Sequence, residues 1–86
     1  MGAYSVLFKE SVRKDFDVIP AADARSIMKR IAALADNPRG LGCEKLSGQE
    51  KYCVRQGDWR ILFSIRDDER TVCVVRIGRG RDVYRK

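Results

Sequence analysis

The sequence predicts an α+β domain: an N-terminal strand, an α-hairpin, then three antiparallel strands forming a sheet with the helices on one face. Three observations point there. Apolar residues alternate in residues 3–8, take up helical spacing between Ser11 and Asn37, and return to alternation from Tyr52 onward. The middle strand of the C-terminal group, "WRILFSIR", carries a large apolar residue at every second position and so needs a cover that only the α-hairpin can provide. A chain of 86 residues holds one modest core, so residues 1–86 form a single domain.

Each element follows from its own residues. In residues 3–8, Tyr4, Val6 and Phe8 alternate with Ala3, Ser5 and Leu7, and the β-branched and aromatic content suits a strand. Ser11 is placed as the cap of a short helix with Val12, Phe16 and Ile19 as its apolar side; Pro20 either stops that helix or begins the next. "AADARSIMKRIAALADNP" sets Ala24, Ile27, Met28, Ile31, Leu34 and Ala35 on one stripe, leaves Arg25, Lys29 and Arg30 outside, and ends at Asn37-Pro38. Residues 39–51 read as a loop punctuated by Gly40, Gly42 and Gly48. Strands are expected at 52–56, 59–66 and 71–78, joined by a tight Gly57-Asp58 turn and a polar turn at 67–70. Trp59, Ile61, Phe63 and Ile65 then face the helices, while Arg60, Leu62 and Ser64 face away. Cys73, in phase with Val75 and Ile77, is assigned to the core, and Asp67-Asp68-Glu69 to a solvated hairpin tip.

Composition narrows the function. Lys or Arg interrupts every apolar run well short of the roughly 18 residues a membrane span needs, and the charged N-terminal stretch lacks a signal peptide's apolar segment. A cytoplasmic protein with no membrane partner is therefore expected. Cys43, Cys53 and Cys73 are odd in number and form no C-x-x-C pair, which reads as three reduced thiols. There is no His, which removes His-based triads and His-based metal sites and leaves no recognisable ligand spacing, so neither a metal nor another cofactor is expected.

The basic balance points to a polyanionic or acidic partner. Lys plus Arg number 18 against 12 Asp plus Glu, for a net charge of +6, and Arg outnumbers Lys 12 to 6. Arg is the residue suited to bidentate phosphate contact and to stacking on bases. If Tyr52 and Val54 face the helices, Arg55 faces Arg60 across the turn on the other side of the sheet, and Arg76 follows with Arg79 and Arg81. Like charges on neighbouring strands repel, so such a face suits an anionic ligand. The plainer reading pairs Arg55 with Asp58 or Glu50, and Arg60 with Asp67, as rim salt bridges.

In this order, "KLSG", "YCVRQGDWRILFSI" and "VCVVRIGRGRDVY" resemble the RelE/ParE superfamily of toxins of type II toxin-antitoxin systems, over essentially the whole chain and on the RelE-like branch. The resemblance implies a toxin neutralised by a cognate antitoxin, present as a monomer or within a toxin-antitoxin hetero-oligomer. It further implies a ribosome-dependent, metal-independent endoribonuclease that cleaves mRNA in the A site and inhibits translation. Arg55 and Arg60 match its basic hairpin positions, Arg79 or Arg81 its C-terminal arginine, and Tyr84 its closing tyrosine. Cys53 and Gly80 stand where relatives carry cations. RNA supplies its own nucleophile, the 2′-hydroxyl, so the protein's tasks are alignment, phosphorane stabilisation and proton movement. Arginine, with a pKa above about 12, serves as an electrostatic anchor. The RNA-binding set is then Lys45, Arg55, Arg60, Arg76, Arg79, Arg81 and Tyr84, with Lys45 on the nucleic-acid backbone. Two alternatives belong to the same superfamily: a ParE-like inhibitor of DNA gyrase, and a catalytically inactive antitoxin-binding relative.

Overall fold

The computed structural model describes residues 3–40, 42–46 and 51–80. Its elements are β1 (Ser5–Phe8), α1 (Glu10–Asp17), α2 (Ala21–Asp36), β2 (Cys43–Lys45), β3 (Lys51–Gln56), β4 (Trp59–Arg66) and β5 (Thr71–Arg79). They build the expected α+β architecture, with the strands in the order β1-β5-β4-β3-β2. The C-terminal strands form an antiparallel meander, whereas β1 joins its edge parallel to β5, Ser5 opposite Thr71 and Phe8 opposite Val74. Between β1 and β5 the chain runs through the α-hairpin to β2 at the opposite edge of the sheet and returns through β3 and β4.

β4 takes the centre because its helix-facing residues are the ones most in need of cover. Ile61 and Phe63 are fully buried, and Trp59 nearly so, against Ile27, Ile31 and Leu34 of α2 and Val12 of α1. Burying a side chain of this size contributes roughly 1.5–3 kcal/mol. Met28, expected on the buried stripe of α2, is instead 45% exposed. The stripe is narrower than the pattern allowed because the buried residues of α2 are Ile27, Ile31 and Leu34.

The helix starts come from the chain path more than from capping side chains. Lys9, not Ser11, is the cap residue of α1 and makes no side-chain cap bond. Its N–H donates to the Val74 carbonyl at 2.9 Å and its carbonyl accepts from the Val12 N–H at 2.9 Å, so α1 begins where β1 leaves β5. Pro20 precedes α2, where its lack of an N–H costs nothing. Residues 39–51 also differ from the expected loop: Cys43–Lys45 pairs antiparallel with β3 as the edge strand β2, and Lys51 already belongs to β3.

A bulge in β5 corrects the assignment of Cys73. Val72 and Val74 are the buried residues, and Cys73, opposite Ser64, is half-buried on the far face. Phe63 pairs with Val74 but Leu62 pairs with Arg76, so Val75 is the extra residue. The parity switches there, and Ile77 returns to the core at 3% exposure. A strict period of two carried back from Ile77 therefore puts Cys73 on the wrong side.

Candidate functional site

The β3–β4 turn is set by two residues. Gly57 lies at φ +61, the only positive φ in the turn, as a type II′ hairpin requires at its first central position. Gln56 pairs with Trp59, which fixes Arg55 directly opposite Arg60 on the face away from the helices. Gly78, the β5 partner of Arg60, adds no side chain beside it. The bulge brings Arg76 to the same face, opposite Leu62.

Beside these cations lies a small apolar floor that the sequence pattern did not reveal. Cys53 and Leu62 are buried there, packed with Leu46 and Val75. Cys53 is 4% exposed, so its thiol belongs to the floor and does not take the place of a solvent-facing cation. Arg55 is exposed, while Arg60 and Arg76 are half-buried. No ion pair joins Arg55 to Asp58 among the described residues, and Asp67 is held by another arginine.

The remaining sequence-derived candidates fall elsewhere. Arg79 is a strand residue opposite Trp59, so its side chain is on the helix side, with the guanidinium carbon 4.9 Å from the indole centroid. It does not join Arg55, Arg60 and Arg76. Lys45 is exposed, but it shares the parity of Tyr52 on edge strand β2, also opposite to the arginine face. Arg81 and Tyr84 lie outside the described residues, as does Glu50. Gly80 has φ +45 and open space where a Cβ would stand, so glycine there answers a left-handed backbone.

The far end of the sheet holds a second arginine site with no counterpart in the sequence reading. Arg39 donates from Nη1 to Asp67 Oδ1 at 2.9 Å and from Nη2 to Oδ2 at 2.8 Å. Tyr4 donates its hydroxyl to Asp67 Oδ1 at 2.8 Å, and Arg39 Nε donates to the Tyr52 hydroxyl at 3.3 Å. Tyr52 in turn stacks on Phe63 with ring centroids 5.8 Å apart. Hydrogen bonding to Arg39 first, and to Tyr4 second, holds the Asp67 carboxyl below the usual range, while Arg39 is shifted further up. The turn is thus more than a solvated tip: Asp67 ties β1 and the α2–β2 connection to β4. Elsewhere, burial pushes the Cys43 thiol up against the opposing pull of Arg30.

Chemically, the arginine face can hold a phosphate through paired N–H donors and rest a flat or apolar group on the floor beside it. Among the described residues there is no cluster of three or more potential metal ligands and no helix long and apolar enough to cross a membrane.

Comparison with known proteins fits this geometry. Toxin RelG of Mycobacterium tuberculosis is 26% identical over 96% of this chain and 98% of its own length. Among solved structures, the toxin-antitoxin complex RelBE2 from Mycobacterium tuberculosis superposes with a TM-score of 0.81 at 22% identity, covering 91% of this chain and 99% of that one. The archaeal RelE-RelB complex from Pyrococcus horikoshii gives 0.78 at 22% identity, covering 90% and 94%. The isolated E. coli RelE toxin gives 0.79 at 18%, covering 91% and 85%. The model of the ParE toxin family of type II toxin-antitoxin systems matches residues 6–84, and the chain therefore belongs to that family, within the RelE/ParE superfamily.

Proposed function

We propose that this toxin is a metal-independent endoribonuclease that cuts mRNA in the ribosomal A site and so arrests translation in the cytoplasm. The observation that carries the reading is the direct opposition of Arg55 and Arg60, joined by Arg76, above the Cys53–Leu62 floor. Two guanidinium groups set across from each other repel, and a bridging phosphate relieves that cost. In the reaction the 2′-oxygen attacks phosphorus, the bond to the 5′-oxygen breaks, and a 2′,3′-cyclic phosphate and a 5′-hydroxyl result. Arg60 and Arg55 stabilise the phosphorane, the step at which one removed donor costs about 10²–10³ in rate. The ribosome supplies alignment, which in a site without His carries much of the acceleration.

A cognate antitoxin is the second partner. Relatives of this fold are known as complexes with RelB antitoxins. An apolar groove along β1, α1 and α2, lined by Val6, Phe8, Val12, Phe16 and Met28 with Arg13, Arg25 and Lys29 beside them, offers such a partner a surface.

The test is to incubate the purified protein with naked mRNA and with programmed ribosomes and map the new 5′ ends. Cuts within codons at the A site, on ribosomes only, are expected. Equal cleavage of naked RNA removes the ribosome from the account. Chromosomal breaks with intact mRNA would favour gyrase inhibition. Loss of both effects, with antitoxin binding kept, would mark an inactive relative.

A further inference from the structure

We propose that Trp59, Asp23 and Arg79 form a positioning device that holds the turn-proximal ends of β4 and β5 in register for the arginine face, an inference that rests on the nuclease reading above. Three contacts define it. Trp59 Nε1 donates to Asp23 Oδ2 at 3.1 Å. The Arg79 guanidinium lies over the same indole, 4.9 Å from its centroid. Trp59 and Arg79 are also direct partners in the β4–β5 ladder. The first turn of α2, the first residue of β4 and the last residue of β5 therefore meet on one side chain.

Each contact has a physical reason to hold. Trp59 is 8% exposed, and a buried indole N–H needs an acceptor. Asp23 supplies a charged one, and an acid in the first turn of a helix is itself favoured by the helix dipole. The aromatic face attracts the guanidinium of Arg79.

The location makes this more than packing. β1 ends opposite Val74, so beyond that point β5 has β4 as its only described strand neighbour. Its other edge is met by α1, where Asp15 Oδ2 accepts the Ile77 N–H at 3.0 Å. The end of β5 would fray without further contacts, and the Trp59 stack supplies one at the final residue. Next along the chain from Trp59 is Arg60, whose side chain leaves on the opposite face. Pinning the indole on the helix side thus fixes the pleat that aims Arg60. Next after Arg79, the last residue of β5, is Gly80, at φ +45. In this device Asp23, Trp59 and Arg79 act through these neighbours.

The experiment compares the wild type with Asp23→Ala, Asp23→Asn and Arg79→Ala by amide hydrogen exchange, melting temperature and single-turnover cleavage of mRNA on programmed ribosomes across toxin concentrations. Asp23→Ala and Arg79→Ala are expected to raise exchange at Arg79 and Gly80 about tenfold while Val72–Val74 stay protected. They should lower the saturating cleavage rate about tenfold, because misplaced groups lose rate more than affinity, with the half-saturating concentration unchanged. Asp23→Asn, which keeps an acceptor oxygen, should fall between them and the wild type. The indole is the chain's single tryptophan, so its emission reports loss of the Asp23 bond directly. Unchanged exchange, or raised exchange with an unchanged saturating rate, overturns the proposal. If the wild type itself leaves ribosome-bound mRNA intact, the nuclease reading falls separately. Growth arrest then replaces cleavage as the activity measured, and arrest undiminished by Asp23→Ala at equal soluble level overturns the device.

Discussion

At the Arg66 end of β4, Arg39 reaches the carboxylate of Asp67 with two N–H donors, and Tyr4 completes the set; at the Trp59 end, Arg60 stands across from another arginine, Arg55. Both are guanidinium sites on one sheet. They differ in the charge set across from the arginine. The first is complete within the chain and joins segments far apart in sequence, as a structural contact should. The second brings together like charges that stability alone does not favour, a cost that an external anion set between them would relieve. Counting arginines does not separate the two sites, whereas the residue standing opposite each arginine does.

The comparison can be broken in several ways. The largest effect should come from reversing the charge of the facing arginines. Arg55→Glu with Arg60→Glu is expected to weaken binding of single-stranded RNA on the order of 100-fold or more at low salt, since each phosphate contact contributes through released counterions. Fluorescence anisotropy reads it. Arg55→Ala alone should lower the slope of log affinity against log salt by about 0.7. It should also stabilise the free protein by a few tenths of a kcal/mol as the repulsion with Arg60 goes. Denaturant titration in the absence of RNA measures that gain.

At the closed site, the sign of the pH effect follows from Asp67. Its carboxyl is held low in the fold. The charged form therefore adds stability above the ordinary carboxylate value of about 3.9, and that contribution fades as pH falls through the lower folded value. Asp67→Asn should thus melt below the wild type at neutral pH and converge with it in acid, while cleavage at neutral pH is unaffected. The smallest effect lies between the two ends. Cys43, pushed up by burial, should react with iodoacetamide at neutral pH more slowly than the half-buried Cys73 on the opposite face, read by mass spectrometry.

Much of the arginine face was legible in the sequence because its information is local. The Gly57-Asp58 turn sets the register, and strand alternation then places Arg55 and Arg60 together within six residues. The helix-facing side of β4 followed from the same alternation. What escaped was whatever depends on distance or on a broken period. The Arg39–Asp67 pair spans 28 residues and the Tyr4–Asp67 bond 63, and neither partner carries a local mark of the other. The bulge at Val75 swaps the faces of β5 in mid-strand, which misassigned Cys73 while leaving Arg76 on the expected side. Arg79, grouped in the sequence with the C-terminal cations, lies across from Trp59 because β5 runs one residue further than its apolar pattern indicated. The edge strand β2 is only three residues long and directly preceded by Gly42, too short for alternation to register.

One paired measurement tests the contrast most directly: Arg39→Ala and Arg60→Ala, each assayed for thermal melting and for cleavage of mRNA on programmed ribosomes. The account predicts a double dissociation. Arg60→Ala should cut the cleavage rate about 100-fold or more with the melting temperature held within about two degrees, and Arg39→Ala should melt lower while cleaving at the wild-type rate. Full cleavage by Arg60→Ala, or an equal loss of cleavage in a well-folded Arg39→Ala protein, would contradict it.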